Sequence, residues 1–243
     1  MVLSLVAVVP EPPLLVPELA TGAAAETAEL RAACVGAAVS LGAASPRWIV
    51  VGADACGRRT IKPPARGSFA GFGVDVTVQL DPASAAAPID PELPLPLLIA
   101  GWMAAAAGVP ASIRGELVAP GETPASCAAL GAALAAEAAA DPEPVGLLVV
   151  GDGAATHNER LPGLLDERAG PFDAAVAAAL RDADTDVLAH LDAGLATALL
   201  AAGRAPWQVL AAATAGGRWR GELLHSSIPY GVAYHVAVWA PLR

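Results

Sequence analysis

The sequence predicts an α/β fold, a single domain over residues 1–243 with a central, mainly parallel or mixed β-sheet and helices on both faces. Three observations lead there. Short apolar runs rich in valine at 3–9 (LSLVAVV), 48–51 (WIVV) and 145–150 (VGLLVV) read as strands buried on both sides. Ala-rich stretches of helical length lie between them, the alternation that brings strands together in parallel. No linker is long or polar enough to divide the chain, and 243 residues suit one large core.

The elements follow in order. The first strand ends at Pro10, and Ala-rich chain with early acids predicts a helix from Glu18 to about Leu41. Pro46 breaks it, and the second strand runs into Gly52-Ala53-Asp54. Residues 55–72 (ACGRRTIKPPARGSFAGF) read as a Gly/Pro/Arg-rich loop. Val74, Val76, Val78 and Leu80 alternate with other residues, as in a half-exposed strand near an edge. Proline-rich, irregular chain over 81–96 precedes a buried helix at 97–107 and a short strand at 114–118. A helix over 123–140 has Thr123 as N-cap and Pro124 in its first turn. After the strand at 145–150, helices are expected at 172–181, 185–202 and 206–213. Strands at 219–224 and 231–239 close the chain, and alternating apolar residues in HSSIPYGVAYHVAVW (225–239) suit pairing at a sheet edge or in a homo-oligomer.

Composition excludes several roles. Alanine supplies much of the 55% hydrophobic content, and aromatic residues are only 4%. The net charge is −10 with no run of Lys or Arg, which argues against nucleic acid and against docking on an anionic membrane. The N-terminus lacks the basic region of a signal peptide. The longest apolar stretch, 94–109, is shorter than the roughly 20 residues that span a bilayer. Three cysteines without CxxC spacing suggest neither disulfides nor structural zinc. A soluble, cytoplasmic protein with reduced thiols is the expectation.

Ligands in open α/β sheets bind outside the carboxyl ends of the strands. The three buried strands lead there into Glu11, into Asp54, and into Asp152 with His157 in VGLLVVGDGAATHNER. Gly151 and Gly153 allow tight backbone geometry around Asp152. Each residue also has a plainer reading: a solvated turn acid for Glu11, a cap or Asx turn for Asp54, a turn residue for Asp152, a loop histidine for His157. His190 reads as structural, and His235 as a partly buried, hydrogen-bonded histidine on the last strand.

Four segments, VAVVPEPPLLVPEL, WIVVGAD, LLVVGDGAATH and PFDAAVAAAL with AGRAPWQVL, stand in an order and spacing that resembles the class III extradiol ring-cleavage dioxygenase superfamily. That superfamily includes the catalytic subunit of protocatechuate 4,5-dioxygenase and the Memo-like proteins, and the likeness is nearest to an actinobacterial branch. The resemblance implies an Fe(II) held by two histidines and a carboxylate, with a further histidine as acid/base. Here the two histidine positions carry Glu11 and Asp54, the third ligand falls near Ala202, and His157 matches the acid/base residue.

Oxygen ligands suit Mg2+, Mn2+ or Ca2+ better than iron. Two functions are therefore open. In an enzyme, Glu11 and Asp54 hold a divalent metal while His157 moves protons, oriented by Asp152. In a metal-free module of the same fold, the cleft binds a cationic or hydrogen-bonding small molecule, or the chain binds a protein. Third and weakest is phosphate binding at Gly151-Asp152-Gly153, where Asp152 would repel the anion.

Overall fold

The computed structural model describes residues 3–20, 22, 24–158 and 165–242. Four parallel strands form the centre of a seven-stranded sheet: β1 (Leu5–Val9), β2 (Arg47–Ala53), β7 (Ser112–Val118) and β8 (Gly146–Val150). Their spatial order is β7-β2-β8-β1. Antiparallel strands extend both sides. The three-residue β3 (Arg59–Ile61) pairs with β7, while β10 (Tyr234–Pro241) pairs with β1 and carries β9 (Trp219–Ser227) at the far edge. The sheet is thus mixed around a parallel block, as the sequence predicts.

Both faces of the block are buried at β1, β2 and β8, which is why these three strands read as near-continuous apolar runs. Val6, Val8, Leu147, Val149 and Val51 point into one core with Trp207 and Trp239. Helices α3 (Pro124–Ala140), α4 (Ala169–Asp182) and α7 (Arg204–Thr214) cover that face. Ala7, Val9, Leu148, Val150, Trp48 and Val50 point into the other core, under α1 (Ala28–Ala44) and α2 (Leu95–Ala106). Thr123 caps α3 by accepting the Ser126 N–H, 3.2 Å away, with Pro124 in the first turn.

Four expectations are corrected. The first long helix starts at Ala28, not Glu18. Pro17 and Gly22 oppose an early start, and Arg31 holds the preceding turns by donating to the Leu15 and Ala24 carbonyls. The helix expected over 185–202 is two short ones, α5 (Thr185–Ala189) and α6 (Ala193–Ala198). Asp192 starts α6 as an N-cap, accepting the Leu195 N–H. The loop at 55–72 contains β3 and β4 (Arg66–Ser68), and β4 makes a separate three-stranded sheet with β5 (Thr77–Gln79) and β6 (Ile89–Asp90). Only 77–79 of the alternating Val74–Leu80 segment forms strand, and it lies at an edge of that small sheet.

The three cysteines are free thiols, two of them buried. No described helix is long and apolar enough to cross a membrane. Glu159 and Arg160, which follow His157 and Asn158, lie outside the described residues.

Candidate functional site

Strand register places the three acids. Val9 and Gly52 each lie opposite Val150, on the two strands flanking β8. Hydrogen bonding continues past the strand ends, with Gly151 N–H donating to the Val9 carbonyl and Asp54 N–H to that of Val118. Glu11, Asp152 and Asp54 stand two residues beyond Val9, Val150 and Gly52. They therefore share the face those residues occupy, above the core under α1 and α2. Asp152 lies in the middle, and its Oδ1 accepts the Glu11 N–H at 2.7 Å.

Burial dominates the electrostatics of this row. Glu11 is 9% exposed, and its Oε2 is buried with no hydrogen-bond partner. Its carboxyl titrates well above the usual range, first because it is desolvated and then because Asp152 and Asp54 repel its charge. Burial likewise pushes Asp152 up to about 7, against the opposing pull of the Glu11 N–H. The Asp152 charge is also felt by Cys34 on α1 and Tyr234 on β10, both raised mainly by their own burial. Asp54 is different. Arg59 reaches its Oδ2 with Nη2 at 2.7 Å and Nε at 2.9 Å, so its charge is already paired.

His157 belongs to a second cluster, on the opposite face. Gly153 points that way, where a Cβ would come within 2.4 Å of Asp173 Oδ1. Asp173, on α4, accepts the Ala154 N–H on Oδ1 and meets His157 Nε2 with Oδ2 at 2.6 Å. His235 Nε2 lies 3.5 Å from Asp173 Oδ1, and its Nδ1 is 3.0 Å from Ser226 Oγ. Both Asp173 and His235 are buried, and the Trp207 ring lies 6.3 Å from the His235 ring. The carboxylate that holds His157 is thus Asp173 and not Asp152, whose own side chain bonds the Glu11 backbone across the sheet. Sequence reading passes over Asp173 because it sits inside a helix. The available signal is its spacing from Val176 and Leu180, which puts an acid on the buried face of α4.

The donor set does not fit the iron of the resemblance. Among the described residues, no group of three or more His, Cys, Asp or Glu side chains is arranged to hold a metal. Asp54 is engaged by Arg59, His157 by Asp173, and the third position, Ala202, offers only a methyl group. Glu11 and Asp152 remain as a buried carboxyl pair. Two such groups repel as anions and are best satisfied by sharing a proton or by receiving a hydrogen-bond donor.

No family model matches the chain, and no curated protein matches it. Among solved structures it is similar to the uncharacterized protein JW3007 from Escherichia coli K12. The TM-score is 0.52 at 14% identity, over 98% of this chain and 99% of that one, a likeness of fold.

Proposed function

We propose that this chain is a metal-independent binding protein on a class III extradiol dioxygenase-like sheet. The carboxyl pair of Glu11 and Asp152 receives the cationic or N–H-bearing group of a small ligand. The observation that carries this reading is the buried, partnerless Oε2 of Glu11 beside a carboxyl raised to about 7. A buried acceptor without a donor costs on the order of 1–3 kcal/mol, and a ligand N–H bound there recovers it. Near neutral pH the pair keeps a proton, and an ammonium group entering the row releases it. Tyr234 and Cys34, buried in the core under α1 and α2, also feel the Asp152 charge. Ring opening through iron finds no support in a row where both expected imidazoles are replaced and one replacement is tied to arginine.

Elemental analysis of the purified protein, before and after anaerobic exposure to Fe(II), Mn(II) or Mg(II), tests the metal-independent part. The expected result is no stoichiometric uptake and no catechol turnover. One metal per chain, lost on Glu11→Gln, would overturn it. Infrared difference spectra at neutral pH test the carboxyl pair. A protonated carboxyl band should be present and should shift or weaken in Asp152→Asn or Glu11→Gln, and its absence from the parent protein would remove the basis of the ligand assignment.

A further inference from the structure

A pocket of about 290 Å³ opens on the other face of the sheet. Pro120 and Gly121, after β7, form one wall, and residues between 196 and 204, among them Thr197, Leu200, Ala202 and Arg204, form the rest. Most of the lining is apolar, and the Thr197 hydroxyl is spent on the Ala193 carbonyl at 2.8 Å, so the one charged lining residue decides the chemistry. Arg204 is 1% exposed and begins α7. Its Nη1 donates to the Glu122 carbonyl and to Gln208 Oε1, and its Nη2 to the Pro120 carbonyl. Its Nε has no acceptor, and none of the ion pairs among the described residues includes it. A guanidinium taken out of water and met only by carbonyl dipoles keeps its demand for an anion.

The neighbouring helices add to that demand. Glu122 lies beside Arg204 at the two helix starts, and Gly131 packs on Val209, Ala212 and Ala213 further along. Helices α3 and α7 therefore run side by side in one direction, with both N-termini at the pocket, where their dipoles favour negative charge. The carboxylate of Glu122 accepts the Thr123 N–H at 3.0 Å. Leu200 stands at the rim, 57% exposed and with φ at 56°, a conformation that leucine rarely adopts.

We propose that this pocket binds a small organic acid with a compact apolar body, its carboxylate turned toward Arg204 and its body on Pro120, Ala201 and Leu200. A phosphate ester fits less well, because one guanidinium and apolar walls offer too few donors for three oxygens. The site is separate from the Glu11–Asp152 row, so either assignment can fail without the other.

Amide chemical shifts of the full-length protein, titrated at pH 7 with cyclohexanecarboxylate and with cyclohexylmethanol, test the proposal. Saturable shifts should centre on Gly121 and residues 196–204, and the alcohol should bind about tenfold or more weakly. Gly121 has open space around it, so Gly121→Trp fills the pocket mouth without entering the core. It should weaken binding of the acid at least about tenfold, with spectra elsewhere unchanged. Arg204→Gln should erase the preference for acid over alcohol; if that variant does not fold, Gly121→Trp decides alone. Equal binding of the two probes by the parent, unchanged affinity in Gly121→Trp, or no saturable shifts at the pocket would each overturn the assignment.

Discussion

Asp152 and Glu11 give the molecule a pH response of unusual sign for carboxyls. Both titrate higher in the fold than in the unfolded chain, where an Asp side chain titrates near 3.9. The folded state therefore binds the extra protons. The Asp152 contribution to stability is complete below about pH 4 and is lost as pH rises through about 7, and the Glu11 contribution has the same sign. Each such proton changes the slope by about 1.4 kcal/mol per pH unit. Urea unfolding should show stability falling between pH 5 and pH 8, on the order of a few kcal/mol. Asp152→Asn keeps an acceptor for the Glu11 N–H and should flatten that decline; an unchanged slope would refute the assignment. Asp141, held low at about 2 by Arg47, loses its contribution only in stronger acid, outside this window.

At this scale the sequence was legible where strand geometry dictates the outcome. Glu11, Asp54 and Asp152 follow short buried strands, so their meeting could be foreseen. The Arg59 grip on Asp54 could not, because it depends on how a Gly/Pro-rich loop folds back. The Asp173–His157 pair joins a helix to a loop, and only the packing of α4 on the sheet brings them together.

Among the elements, α3 and α7 pack backbone against backbone at Gly131. A Cβ at Gly131 would come within 2.3 Å of the Val209 carbonyl. Alanine is the better helix former by about 1 kcal/mol, yet Gly131→Ala should destabilise the protein by about 1–3 kcal/mol, because the two backbones must separate. Thermal or urea unfolding checks it, and a stabilised variant would show that the helices can yield. Thr123→Ala, which removes the cap of the same helix, should cost about 1 kcal/mol by the same measurement. Strands and caps were readable because valine runs, prolines and threonines act locally. Helix ends inside alanine-rich chain were not. Alanine favours helix everywhere, so the start of α1 and the break between α5 and α6 rest on Arg31 and Asp192, single polar residues with local tasks.

For the whole molecule, the parallel block is shared property. Each central strand sends alternate side chains into both cores, so neither core can dissolve while the sheet remains. Unfolding followed by far-UV circular dichroism should coincide with unfolding followed by tryptophan fluorescence, whether Trp48 in one core or Trp207 in the other is replaced by phenylalanine. Separate transitions for the two variants would show that the faces come apart independently. Three strands of this block were evident from hydrophobic runs, and β7, interrupted by Arg114 and Glu116, was legible only as a short strand at 114–118. The small sheet of β4, β5 and β6 was not, since strands of two or three residues leave too short a trace for alternation to register.

The sheet that is apolar on both sides also governs which errors the chain tolerates. In a strand with one wet face, a one-residue slip exposes hydrophobic groups and is punished at once. In β8 a deletion would merely exchange Leu147 and Val149 for Leu148 and Val150, greasy for greasy, yet it would carry Asp152 through the sheet to the side of Asp173. Parity, more than polarity, decides where the acids of this protein meet. A frame-preserving insertion of two residues is therefore gentler on the site than a single one.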